Sequence, residues 1–222
     1  MGGFQDKLLN QHFKQNFYNI IITTLITSCK LMMENCCSNK LSIPNHEEKI
    51  RTYLLENYLE NEKTRCIIGL SDVPIRFLPE VPENYDMDNN TYIGRTDIRV
   101  LSSNWLSNPK DYYIVECKRI DGTKSLNQKY VDEGIGRFVG DSPKYSSYNN
   151  QNIMLGFVVK EIDCSVVISD ISNIHTNRIG SLIDKDITII ENYKDYYLCE
   201  SVYTNKLYLS HIFYDISSAV SS

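Results

Sequence analysis

The chain has no C-x-x-C pair, no two histidines at metal-ligand spacing, no block of like charge and no internal repeat. Without C-x-x-C, zinc ribbons and dithiol redox chemistry lose their usual ligands. The four histidines, His12, His46, His175 and His211, are too scattered for a zinc pair or a histidine-centred active site. Seven cysteines, an odd number with Cys36 and Cys37 adjacent, fit reduced thiols in a cytosol better than a disulfide framework. The most apolar stretch, Ile20 to Met33, is interrupted by Thr23, Thr24, Thr27, Ser28 and Lys30, short of the roughly 20 apolar residues a bilayer span needs. Position six is Asp6, where an N-myristoylation signal wants Ser or Thr, and no leader-like order of charged and apolar regions follows Met1. A soluble, cytoplasmic protein with no membrane partner is the expectation. Basic excess is also lacking: a net charge of −5 speaks against a protein that coats nucleic acid, though not against local contacts helped by a bound cation.

What is present is ordinary globular material, 42% hydrophobic and 23% charged over 222 residues, enough for one sizeable core and one domain. Phe13, Phe17, Ile20, Ile21 and Leu25 recur at helical spacing, which predicts a long amphipathic helix from Phe4 to about Cys37. Asn45 is a candidate cap for a second helix to about Glu62, with Ile50, Leu54 and Tyr58 on one stripe. Ile75 to Pro79 predicts a short strand, Pro79 to Asn90 a polar loop, Gly94 to Leu101 a second strand and Ser102 to Lys110 a loop. Asp111 to Ile120 is the clearest strand, because Tyr112-Tyr113-Ile114-Val115 is aromatic and β-branched. A helix from about Ser125 to Gly140 should follow, then a buried strand from Ile153 to Val159 and a helix through Val167, Ile171 and Ile174. The tail, Ile187 to Ile216, reads as tyrosine-rich β structure. The order α-α-β-β-β-α-β-α-β defines an α/β domain, with an N-terminal helical extension over 1–40, a core over 45–160 and a completing helix and strands over 161–222.

Side chains alternate along a strand, so Ile114, Glu116 and Lys118 share one face of the clearest strand and Cys117 takes the other. A carboxylate and an ammonium leaving an apolar strand are costly to desolvate unless paired or holding an ion. Metal-assisted hydrolysis is one such reason. Mg²⁺ takes hard oxygen ligands and keeps some waters, so two carboxylates plus substrate phosphate make a sufficient site. Asp97, in Arg95-Thr96-Asp97-Ile98, can supply the second carboxylate from a neighbouring strand. The Cys117 carbonyl could add a ligand, and Lys118 would hold the attacking water and offset charge on the phosphate.

Asp97 followed by Glu116-Cys117-Lys118 resembles the PD-(D/E)XK nuclease superfamily, which includes restriction endonucleases; Thr96 stands where the motif's Pro would be. The resemblance covers roughly Glu47 to Val159. It implies a restriction-endonuclease-like mixed central sheet flanked by helices, Mg²⁺ with Mn²⁺ as substitute, and DNA, expected to be double-stranded, as substrate. It also implies a helical carboxylate near the metal, and Glu47 fills that place, because it shares a stripe with Ile50 and Leu54 while Glu48 is rotated away. On the helix after the motif, Gln128 has the same spacing with Val131 and Ile135 and would position phosphate or water. Lys129 and Arg137 are candidates for phosphate contacts. Tyr130 to Tyr145 is similar to segments of bacterial restriction-like nucleases, so a partner protein of an antiphage system belongs among the expected partners.

Each residue also has a plainer explanation. Glu116 and Lys118 could pair loosely on an exposed strand, Glu47 could serve the helix dipole, and Gln128 could lie on a solvated face. Gly134 and Gly136, each about 1 kcal/mol worse than Ala in a helix, point to close packing. The alternative function is a non-catalytic interaction module whose N-terminal helix recruits a partner. For the nuclease, the same helix could pair with its twin in a homodimer, since double-strand cutting by a small domain commonly takes two copies.

Overall fold

The computed structural model describes residues 3–140 and 142–221, with side chains from residue 12 onward, so the reading of Met1 and Gly2 lies outside it. Helix α1 spans Gly3–Asn39. Its buried stripe is Phe17, Tyr18, Ile21, Leu25, Cys29, Met32 and Cys36, whereas Phe13 and Ile20, expected on that stripe, are exposed. By length and composition, His12–Asn39 is apolar enough to cross a bilayer, contrary to the sequence reading. In this fold the stripe instead packs on the sheet, with Phe17 and Tyr18 against Tyr113 at ring distances of 5.9 and 5.5 Å.

Helix α2 spans Glu47–Leu54 and runs into a π turn, Leu55–Leu59. Its cap position is His46, which makes no side-chain cap; Asn45, expected there, instead accepts from Arg119 Nη1 at 2.7 Å. The helix expected to reach Glu62 is therefore broken, and a short α3, Glu62–Ile67, starts afresh from an Asn61 cap.

Strands β1 (Arg76–Pro79) and β4 (Ile98–Leu101) pair antiparallel, and beyond them β2 (Pro82–Asp86) and β3 (Thr91–Arg95) pair as a separate two-stranded hairpin. The polar loop expected over Pro79 to Asn90 is thus mostly hairpin, and the single strand expected over Gly94 to Leu101 is interrupted at Thr96 and Asp97. The break has a backbone signature: Glu80 sits at φ 50°, in the left-handed region, opposite Asp97, and donates its N–H to the Asp97 carbonyl at 3.2 Å.

Strand β5 (Tyr112–Ile120) pairs antiparallel with β4 and parallel with β6 (Gln151–Val158). Between them lie α4 (Lys124–Lys129), capped by the Thr123 hydroxyl, a π turn over Tyr130–Gly134 and a 3-10 turn over Ile135–Arg137. Helix α5 (Cys164–Ile179) follows an Asp163 cap, and the tail resolves into β7 (Ile183–Asn192), β8 (Tyr196–Tyr203) and β9 (Tyr208–Asp215). Strand order in the main sheet is β1-β4-β5-β6-β9-β8-β7, parallel only at β5/β6 and β6/β9. The architecture is a mixed α/β one, a mostly antiparallel mixed sheet flanked by helices and carrying the N-terminal helix. One core joins α1 and α2 to the face bearing Tyr113, Val115 and Cys117; the other joins the π turn and α5 to the face bearing Ile114 and Ile120.

The second core contains a polar chain that is buried from His175 inward and reaches solvent at Asp186. Asp186 meets His175 Nδ1 at 2.7 Å, His175 Nε2 meets the Tyr203 hydroxyl at 2.9 Å, and Ser201 links Tyr203 to His211 Nε2 at 3.0 and 2.8 Å. Tyr130 closes it at His211 Nδ1, 3.0 Å away. Each member satisfies the next, which is what makes so many polar atoms tolerable in an apolar interior. Burial pushes the His211 pKa down to about 3, with His175 beside it adding to the shift.

Candidate functional site

Strand β4 begins at Ile98, opposite Val115, so the second half of β5 has no strand on that side. Its alternate N–H groups there would be orphaned, and side-chain carboxylates take them. Cys117 N–H donates to Asp97 Oδ2 at 2.7 Å, and Arg119 N–H donates to Glu47 Oε2 at 3.0 Å. The hairpin break delivers Asp97 and the first turn of α2 delivers Glu47. Glu48, one residue on, is exposed.

Glu116 is fully buried and Lys118 is 5% exposed. The Lys118 ammonium donates to Glu116 Oε1 at 2.8 Å, to the Cys117 carbonyl at 2.9 Å and to Glu47 Oε1 at 3.2 Å. Arg137 Nε lies 3.2 Å from Glu116 Oε1. On the other side of that carboxylate, the Tyr145 hydroxyl lies 2.7 Å from Glu116 Oε2, beside the Arg95 carbonyl at 2.6 Å, and accepts from Arg137 Nη1 at 2.6 Å. Asp97 Oδ1 is held by the buried guanidinium of Arg51, whose other nitrogen reaches Glu80 Oε1 at 2.6 Å. Glu80 in turn pairs with Arg95 at 2.8 Å.

The protonation pattern follows from burial and neighbours. Burial pushes the Glu116 carboxyl up to about 7, with Asp97 adding to the rise and Lys118 and Arg137 opposing it. Burial would lower the pKa of Lys118, but Glu116 and Glu47 outweigh it and the net shift is upward. Lys118 is therefore a cation throughout the neutral range, while Glu116 takes up a proton more readily than an ordinary carboxylate. Arg51 behaves as Lys118 does: burial would lower its pKa, and Asp97 together with its other neighbours, Glu80 among them, turns the net shift upward. The Cys117 thiol, completely buried, is pushed well up, which removes it as a nucleophile and leaves it a core side chain.

Glu47, Asp97, Glu116 and Lys118 are thus brought together, and the Cys117 carbonyl is with them. Gln128 is not: the side of α4 and its π turn that lines the cleft of about 480 Å³ over Glu47 and Lys118 carries Leu126, Lys129 and Glu133, and Gln128 is half-buried outside it. The helix after the motif tightens and widens within two turns, so the straight α spacing that aligned Gln128 with Val131 and Ile135 does not hold there. Gly134 fits the close-packing explanation, since a Cβ on it would come 2.5 Å from Met154 Cε and 3.4 Å from Lys118 Cγ.

Hard carboxylate and carbonyl oxygens suit Mg²⁺ or Mn²⁺ by chemistry. In this conformation, however, no group of three or more Asp, Glu, His or Cys side chains among the described residues is arranged around one ion position. The expected ligands Asp97, Glu116, Glu47 and the Cys117 carbonyl lie together here, with the Lys118 ammonium at the point where Glu47, Glu116 and Cys117 converge and the Arg51 guanidinium on Asp97 Oδ1. The donors for a divalent cation are present, and two basic side chains hold their charge.

Arg51 and Tyr145, which touch the candidate carboxylates directly, are among the site residues that the sequence reading lacked. Arg51 follows Glu47 by four positions, so the stripe that singled out Glu47 already placed it on the same side of α2. Tyr145 lies past a turn, where no periodicity carries information. No family model, curated protein or solved structure matches the chain.

Proposed function

We propose that this chain is a Mg²⁺-dependent nuclease of restriction-endonuclease-like fold that hydrolyses phosphodiester bonds in DNA, acting in the cytoplasm. The observation that carries the reading is the convergence of Glu47, Asp97, Glu116 and Lys118, from a helix, a hairpin break and a strand, on the free edge of β5. The order of parts supports it as well: a helix with an inward carboxylate, the Asp at the entry to β4, Glu and Lys on β5, and a helical crossover into a parallel β6.

At such a donor set a divalent cation supplies Lewis-acid polarisation of a phosphate oxygen and a lowered pKa of water. Asp97 and Glu116 are the residues that would hold it, with Glu47 and the Cys117 carbonyl beside them. Lys118, freed from Glu116, orients water and offsets the negative charge that builds on the phosphate in the transition state. Arg137 and Tyr145 hold Glu116 from behind. Lys129 and Arg119 line the cleft and neutralise the backbone of the bound strand. A restriction or antiphage role and a defence partner protein belong to the reading through its family resemblance alone; a twin copy joined through α1 rests on the two copies that double-strand cutting by a small domain takes.

Incubation of plasmid DNA with Mg²⁺ or Mn²⁺ should give nicked or linear products, and Glu116→Ala and Lys118→Ala should abolish them while leaving the circular dichroism unchanged. Undiminished cutting by both variants would falsify the assignment.

One observation favours a second reading, a non-catalytic module: Asp97 and Glu47 already satisfy backbone N–H groups and each candidate carboxylate has a basic partner. Mn²⁺ titration separates the two. A nuclease binds the ion and loses it in Asp97→Asn; a module does not respond.

A further inference from the structure

Beside the cleft, the β2–β3 hairpin forms one wall of a groove of about 430 Å³ that Tyr92, Ile93, Gly94, Arg95, Arg137 and Lys144 line. Among the described residues, three that line it are basic and none is acidic, on a chain whose net charge is −5. Arg95 lines both this groove and the cleft over Glu47 and Lys118, and Arg137 reaches from it to Glu116, so the two depressions adjoin at Arg95. Arg95 spends one nitrogen on Glu80 and is 65% exposed, leaving donors of its five-donor fork free.

The aromatic side of the groove is as unusual as its charge. Tyr92 is 54% and Ile93 49% exposed, and the Tyr85 ring meets Tyr92 edge-on at 5.0 Å, which props it outward. The opposite wall is built rather than loose. The Lys144 carbonyl accepts from Asn84 Nδ2 at 2.9 Å, and Ser146 Oγ donates to Asn84 Oδ1 at 2.7 Å. A Cβ on Gly94 would come 2.9 Å from that same Lys144 carbonyl, so the wall and the hairpin touch through a glycine that has no room for a side chain.

We infer that this groove is the bed for the nucleic-acid strand flanking the cut, with Arg95 and Lys144 on its phosphates and Tyr92 stacked on a base. Cations paired with an exposed aromatic suit a sugar-phosphate backbone carrying flat bases, since phosphates reward fixed positive charge and every base offers a π face. Such contacts position a strand without reading its sequence. The purpose of the bed rests on the nuclease reading; the binding itself does not.

The test is fluorescence anisotropy with the full chain in EDTA, using a labelled DNA duplex and its single strand as probes. Lys144→Glu should weaken binding roughly tenfold and lower the salt slope by about one. Tyr92→Ala should weaken it roughly tenfold. Lys194→Glu, on an exposed lysine outside the groove, should leave it unchanged. Wild-type protein that binds neither probe, or Lys144→Glu and Tyr92→Ala variants that bind as wild type does, overturns the inference. Groove-dependent binding without cleavage in Mg²⁺ defeats the nuclease reading and leaves the groove standing, and cleavage by variants of unaltered affinity does the reverse.

Discussion

Lys118 Nζ lies 2.8 Å from Glu116 Oε1, two residues back on the same face of β5, and the carboxylate is fully closed from solvent. A pair so enclosed is held by mutual compensation, and losing Lys118 leaves the buried Glu116 charge only partly answered, by Arg137.

Lys118→Met should therefore destabilise the protein by about 3 kcal/mol at pH 8, measured by urea denaturation. The double variant Glu116→Gln/Lys118→Met should be the more stable of the two. In plasmid cleavage each single variant should lose at least ~10²-fold in rate, the scale of removing one charge-stabilising group. A Lys118→Met protein with the wild-type urea midpoint would contradict the enclosure of the pair.

Arg51 competes with any cation for Asp97, because its guanidinium holds Oδ1 while Cys117 N–H holds Oδ2. Arg51→Met should tighten Mn²⁺ binding several-fold in isothermal titration, whereas Asp97→Asn removes it. Weaker Mn²⁺ binding by a folded Arg51→Met protein would show that Arg51 supports the site rather than guarding it.

Two buried groups shift stability with pH in opposite senses. Glu116, raised to about 7, contributes stability that is complete below its ordinary value near 4.5 and is lost as pH rises through 7. His211, lowered to about 3, contributes stability that is complete above 6.5 and is lost as pH falls toward 3. Between about pH 4.5 and 6.5 the two oppose each other. Glu116→Gln removes the first alone, so its stability should climb from pH 5 to pH 7 more steeply than wild type, by on the order of 2 kcal/mol. Parallel urea midpoints across that range would refute the shift assigned to Glu116.

Gly156 faces Lys118 across the β5/β6 pairing, and a Cβ there would come 2.8 Å from Ile120 Cδ1 and 3.1 Å from Phe213 Cδ1. Gly156→Ala should cost about 1–3 kcal/mol by overpacking, read as a lower thermal midpoint. An unchanged midpoint would mean that the ring and methyl move aside freely.

The alternation of β5 was legible before any tertiary contact. Tyr112 to Val115 are aromatic and β-branched, which sets a strand, and the period of two alone puts Glu116 beside Lys118 and Cys117 behind them. The orientation of Glu47 was legible too, because Ile50 and Leu54 define which side of α2 is buried. The β2–β3 hairpin was not, since it stands off the main sheet and needs no continuous apolar face to announce it: Tyr92 and Ile93 are adjacent and both exposed. Local spacing aligned Gln128 with Val131 and Ile135 on the assumption of a regular helix, whereas a π turn follows over Tyr130–Gly134 and the cleft is lined by Leu126, Lys129 and Glu133.

Local chemistry within the chain thus determined the strand carrying Glu116 and Lys118, the inward side of α2 and the mixed α/β order. Only the tertiary structure decided what those groups touch. Where β4 stops against β5 is a matter of sheet register, and that stop frees the N–H groups of Cys117 and Arg119 to fix Asp97 and Glu47. Arg51, Arg137 and Tyr145 reach the same carboxylates from separate elements because buried charge must be answered by whatever lies within hydrogen-bond range, and nothing in the local spacing of residues states that range.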